Sequence, residues 1–304
     1  MSISYFARFL CLSLAAFFLA NLVLTAIVSG VAARVVYKAA RISARDGARL
    51  LFAMRLAPAV LAGALVAGVC APSYFWLEPR SSTEEIGLTC LLAAMCGAVC
   101  WTRSVARALS AAVRSSRSLR NCQRAIESDA PVLMLAGVFH PRLVVSRGVR
   151  RGLTVEELAV AVRHEEAHGA SHDNLKRLLL LLAPEPVPFI RRLGGLERAW
   201  GRLAEWAADD RAVDGSRESS LVLASALVRV ARMGASPALP LATSFLGDRD
   251  DLSARVERLL AGGAPETARR RWWPAIVMAV AITAIAVQPA TFVAVHRALE
   301  ALAH

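Results

Sequence analysis

Hydrophobic and polar positions divide this chain into blocks with different periods. Residues 9–33, 56–77, 86–102 and 272–295 are four runs without a charged residue. Each is long enough to cross a bilayer as a helix, the third being near the lower limit. Beyond the third run the pattern changes. Residues 104–127 alternate basic and apolar positions at helical spacing, predicting an amphipathic helix that leaves the membrane. The stretch 131–146 (PVLMLAGVFHPRLVVS) holds two short apolar runs around Gly137 and the His140-Pro141 pair, the signature of a hairpin. Thr154-Val-Glu-Glu157 is a capping-box sequence, so a helix carrying LAVAVRHEEAH is expected to begin there. Further helices are predicted over 196–213, 219–233 and 250–260. The apolar, proline-rich segment 175–190 is too short to span, which leaves core, re-entrant hairpin and interfacial surface open.

Composition agrees with a membrane protein: 56% of the 304 residues are hydrophobic. The formal charge of +12 is placed rather than spread. Arg34, Lys38, Arg41, Arg45 and Arg49 follow the first run. Arg103, Arg107, Arg114, Arg117, Arg120 and Arg124 follow the third, and Arg269, Arg270 and Arg271 precede the fourth. Between the second and third runs, Glu78, Glu84 and Glu85 outnumber Arg80. The positive-inside rule then gives one topology, with the N-terminus outside and the long segment between runs three and four in the cytoplasm. Juxtamembrane placement explains the arginines without nucleic acid, and no direct nucleic-acid partner is expected. The first run is too long for the apolar core of a cleaved signal peptide and is expected to be a retained anchor. Five of the six cysteines fall within the apolar runs, without metal-binding spacing, and read as small packing residues.

The chemistry is concentrated in VRHEEAHGASHDN, residues 162–174. His164-Glu165-Glu166-Ala167-His168 is an HExxH sequence on an independently predicted helix. Its i, i+4 spacing puts both imidazoles on one face, able to share a zinc ion. Glu165 lies about 100° around the helix from His164, beside a metal-activated water without binding the metal itself. Glu166 turns away and is expected to be a solvated helix residue. His172 continues the series, but positions 164, 168 and 172 stretch about 12 Å along a helix, too far to converge on one ion. Glu205, on a separate predicted helix with Asp209 one turn later, is the better third ligand. Asp209 would then fix the tautomer of a ligand imidazole. The alternative for Glu205, Asp209 and Asp210 is an ordinary acidic helix surface.

The series GVFHPRLVVSRGVRRGLTVEELAVAVRHEEAHGASHDNL, followed by EWAADDRAV, resembles the membrane zinc metallopeptidases of the BlaR/MecR antirepressor family. It is similar, more distantly, to the HtpX and CAAX prenyl protease group. The resemblance covers roughly residues 104–262. It implies one zinc ion per chain held by His164, His168 and Glu205, with Glu165 as catalytic base and Asp209 behind the ligands. It further implies that a strand within 131–146 offers an open edge to substrate backbone. His172 stands where relatives often carry arginine. No penicillin-binding module follows the fourth run, so β-lactam sensing is not expected.

The expected architecture is a mainly α integral membrane protein of the bacterial inner membrane. Residues 1–103 hold three transmembrane helices and 104–129 a basic linker helix. A cytoplasmic, gluzincin-like α+β metallopeptidase domain with a small sheet occupies 130–268, and the fourth span and an external tail 269–304. The expected partners are the bilayer and a protein substrate, with a transcriptional repressor as the family's example. A quality-control protease for membrane proteins and a non-catalytic signalling scaffold are the rival readings.

Overall fold

The computed structural model describes residues 5–78, 86–120, 126–186, 191–234, 242–244, 249–262 and 289–303. Helix α1 (Tyr5–Ala39) turns back at Ser43, whose hydroxyl caps α2 (Ala44–Leu65) by accepting from the Asp46 amide. A single π turn, Val66–Cys70, leads into α3 (Ala71–Leu77). Pro72 explains this turn: it has no amide hydrogen to donate and its ring crowds the preceding turn, a mismatch that a π bulge absorbs. Helix α4 (Leu88–Arg120) runs unbroken across residue 103. The predicted third span and the basic helix are therefore one element, in keeping with the absence of proline and glycine from 98–120.

Among the described residues, three helices, over Tyr5–Ala39, Ala44–Leu77 and Leu88–Arg117, are long and apolar enough to cross a membrane. Most of the predicted fourth span lies outside the described residues, as do Arg269, Arg270 and Arg271. Its last seven residues open a helix that continues through the expected tail, Pro289–Ala303, and packs against α3 and the π turn. Close helix contact in the bundle relies on small residues. A side chain at Gly97 would meet the Leu14 carbonyl at 2.6 Å. At one end of the bundle Arg8 and Glu78 form a buried ion pair at 2.7 Å. The α1–α2 turn lies at the other end.

The predicted hairpin is present as β1 (Leu133–Ala136) and β2 (Arg142–Val145), antiparallel from Leu133↔Val145 to Ala136↔Arg142. Strand β3 (Ala242–Ser244) pairs on the other side, giving the order β2-β1-β3. The short helix α5 (Arg147–Gly152) follows. The predicted capping box is complete at the start of α6 (Val155–Ser171). There Glu157 also accepts a hydrogen bond from Ser225 and faces Arg229, tying α6 to α9 (Arg217–Arg232). Helix α7 (Asp173–Leu182) comes directly after α6, and α8 (Arg191–Val213) precedes α9. Helix α10 (Arg249–Leu260) packs on α9, and α11 is the Pro289–Ala303 helix.

Two cores meet at α8. Its N-terminal half joins Leu196, Ala199, Trp200 and Leu203 to Leu51, Ala48 and Val28 of the membrane helices. Its C-terminal end joins Ala212 and Val213 to Val160, Leu223, Leu227 and Leu259. Burying each such leucine contributes roughly 1.5–3 kcal/mol, enough to fix α10 against α9. The described part of the open segment 175–190 lies against the bundle: α7 packs on α4 and α2, and the Pro184 carbonyl accepts a 2.9 Å hydrogen bond from Asn21 of α1.

Candidate metal centre

Helices α6 and α8 cross where their buried polar residues meet. His164 and His168 are fully buried on one face of α6, and their Nε2 atoms are 3.2 Å apart. The Glu205 carboxylate of α8 stands opposite, 3.5 Å from His164 Nε2 and 3.6 Å from His168 Nε2. These three residues form the set among those described that offers donor atoms to a common metal ion.

The other ring nitrogens are already engaged. His164 Nδ1 is 2.9 Å from Asp209 Oδ1, and His168 Nδ1 is 2.8 Å from Asp173 Oδ2. A carboxylate stands against each Nδ1 and favours the proton there, which leaves both Nε2 atoms to face the same point. Two lone pairs facing each other beside a carboxylate repel unless a cation or protons lie between them. Tetrahedral zinc with metal–nitrogen bonds of about 2.0–2.1 Å places its nitrogen donors about 3.3 Å apart, close to what the imidazoles adopt. The donor set therefore fits a single tetrahedrally bound metal ion.

The electrostatics agree. Burial opposes charge on both imidazoles, yet their carboxylate neighbours outweigh it. Asp209 and Glu205 raise the pKa of His164. Glu205, followed by Asp173, pushes His168 up to about 10. Burial also opposes ionisation of Glu205, but His168, His164 and Arg255 hold its carboxyl well below the usual range. Asp209 is likewise opposed by burial, but Arg255 and His164 lower its pKa.

Glu165, expected as the base, is fully buried, and its charge is felt at both His168 and Arg255. Glu166 faces solvent, as its helical position requires. His172 is exposed and takes a left-handed conformation (φ 55°), so it ends α6 rather than joining the ligands. That turn has a consequence the helical spacing hides. It starts α7 at once and swings the Asp173 carboxylate back onto His168, while Lys176 holds its other oxygen at 2.8 Å. Asn174 anchors the end of the sheet by donating to the Leu135 and Gly137 carbonyls. His140 is exposed in the hairpin turn, and Trp200 is a core residue beside the less buried Trp206.

Sequence reasoning missed two residues of this centre. Asp173 is one; Arg255 of α10 is the other. The Arg255 guanidinium is fully buried, contacts Asp209 at 2.7 and 2.9 Å, and lies 3.2 Å from Glu205. A signal for it existed, because Arg255 interrupts the apolar stripe Leu252, Val256, Leu259.

No protein-family profile matches the chain, and comparison with curated proteins and with solved structures gives no match.

Proposed function

We propose that the chain is a membrane-anchored, zinc-dependent endopeptidase whose site faces the cytoplasm. The observation that carries this reading is the convergence of His164, His168 and Glu205 at tetrahedral spacing, with the buried carboxylate of Glu165 on the next helical position. Zinc bound there would supply Lewis acidity, bringing the pKa of water towards neutrality and polarising a peptide carbonyl. Glu165 takes the proton from the attacking water and delivers it to the leaving amine. Asp209 and Asp173 keep the Nδ1 protons in place, so the imidazoles present Nε2 to the metal. Arg255 holds Glu205 and Asp209 in register.

The sheet suits substrate binding by strand addition. Strand β1 is paired on both sides, which leaves β2 as the edge within the predicted hairpin. The orientation rests on charge: Arg34, Lys38, Arg41, Arg45 and Arg49 cluster around the α1–α2 turn, at the end of the bundle where α8 carries Glu205. The resemblance to the BlaR/MecR antirepressors makes a regulatory protein, such as a repressor, the substrate class we favour.

The test is hydrolysis by the full-length protein in detergent, with a casein-type substrate, compared with Glu165→Gln. Activity should fall at least about 100-fold while bound zinc is unchanged. Equal activity in the two forms would overturn the mechanism.

A further inference from the structure

The described cysteines are all free thiols, and two pairs of them interact. Cys96 and Cys100 stand one turn apart on α4, where a bond between them would join the helix only to itself. Cys11 belongs to α1 and Cys90 to α4, and their thiols share a hydrogen bond.

The packing of the two helices explains why these thiols meet. Gly97 lets α4 approach the α1 backbone so closely that a Cβ there would meet the Leu14 carbonyl at 2.6 Å. Phe17 meets Trp101 one turn further on, with ring centroids 5.3 Å apart. From the Gly97–Leu14 contact, Cys11 is one turn back along α1 and Cys90 two turns back along α4. Both pack with Leu12, Ala15, Tyr74 and Ala94. Helices this close bring Cα atoms towards the separation a disulfide requires, roughly 4.4–6.8 Å.

The two thiols are not equivalent. Cys90 is fully buried, whereas Cys11 is half-buried and reaches the helix surface. A thiol open to an oxidant and backed by a sheltered one is the arrangement of an attacking and a resolving cysteine. Cys11 lies one turn from Arg8, whose guanidinium pairs with Glu78, and Cys90 is the third residue of α4. The pair thus stands at the polar end of the bundle, where the charge of Arg8 is felt at Cys90. In the proposed orientation this end lies outside the cytoplasm, where disulfides persist.

We propose that Cys11 and Cys90 are a redox-active dithiol, which a disulfide oxidant closes into a bond pinning α1 to α4. The Cys11 thiolate attacks one sulfur of the oxidant, forming a mixed disulfide and releasing a first thiol. The Cys90 thiolate then attacks the Cys11 sulfur and releases the second. The new Sγ–Sγ bond replaces the oxidant's S–S bond, and both protons and both electrons leave on its two thiols. Helix α4 runs unbroken from this pair to its contact with α7, so the bond fixes one end of a continuous element. The inference rests on the proposed orientation for its compartment but not for its chemistry, and it is independent of peptidase activity.

The test uses reduced full-length protein in detergent, equilibrated with reduced and oxidised glutathione in varying ratio. After acid quenching, the protein is denatured, alkylated and mapped by mass spectrometry. Cys11 and Cys90 should lose alkylation together and appear as one linked peptide, while Cys70 stays free. In Cys11→Ala, Cys90 should remain alkylated at every ratio. The closed form of the wild-type protein should melt higher than the reduced form, because the bond constrains the unfolded chain. The proposal is overturned if both thiols stay free, or carry glutathione without linking, at the most oxidising ratio. A bond that forms but lowers the melting temperature also overturns it, since the helices would have to move to close it. Alkylation in intact cells tests the compartment separately. A pair that closes in detergent but is reduced in cells would contradict the orientation and leave the dithiol standing.

Discussion

Two polar clusters meet helix α8, one partly solvated and one buried, and they balance charge differently. On the bundle side, Arg55 pairs with both Glu185 and Glu197, and Arg107 reaches Glu185 from α4. Each carboxylate there meets a guanidinium, so none calls for a further cation. Further along, four buried carboxylates, Glu165, Asp173, Glu205 and Asp209, gather around one buried arginine among the described residues, Arg255. Lys176 and Arg177 approach only from the rim. This second cluster is short of positive charge, and the gap lies where two imidazole lone pairs converge. An ion-pair network can serve architecture, whereas a charge-deficient one with convergent donors is built to receive a cation.

The sharpest way to break this contrast is to remove a donor. His164→Ala or Glu205→Ala should weaken zinc binding by more than about 100-fold, since losing even an outer partner of a ligand costs about 10–100-fold. Zinc competition with a chelating dye reads this directly. Asp209→Asn should fall within that smaller range. Arg55→Ala should leave zinc affinity within about threefold, because the bundle cluster offers no ligand.

Stability separates the clusters next. Arg255→Met leaves two buried carboxylates without their main cation and should cost about 3–5 kcal/mol in chelated protein, of which zinc restores a substantial part. Arg55→Met should cost about 2–4 kcal/mol, less because Glu197 is partly solvated, and zinc should restore none of that loss. Melting curves with and without zinc distinguish the two. If zinc rescued both variants alike, the division would be wrong.

Acidity gives a smaller effect. In chelated protein the pKa of His168 is raised from 6.5 to about 10, so its protonated form stabilises the fold. That contribution is fully present below pH 6.5 and is lost as pH rises through 10. Stability of the chelated protein should therefore decline by a few kcal/mol across this window. Zinc competes with the proton, so zinc affinity should rise over the same range. The least effect is expected at His172. Replacing it with glycine relieves a left-handed conformation and should change stability by at most about 1 kcal/mol in the favourable direction, with zinc binding intact. Loss of zinc in His172→Gly would restore it as a ligand candidate.

The limits of the sequence reading follow the same physics. His164, His168, Glu205 and Asp209 were legible because helical periodicity alone brings i and i+4 together, and Thr154 with Glu157 marked where that helix starts. Asp173 was not, since five residues beyond His168 no helical repeat returns it to the same face; only the left-handed turn at His172 does. Arg255 meets Asp209 across 46 residues, through packing between α8 and α10 that local pattern does not encode. The contact of Pro184 with Asn21 spans 163 residues, a separation at which local pattern leaves segment 175–190 open among three readings. The continuity of α4, by contrast, was written in a stretch free of proline and glycine.

Zinc content tests the central claim most directly. Full-length protein, saturated with zinc, dialysed and analysed by plasma mass spectrometry, should retain one zinc per chain. Glu165→Gln should retain the same amount, and the double variant His164→Ala, His168→Ala should retain none. A wild-type protein that emerges without zinc, or a double variant that keeps it, would contradict the account.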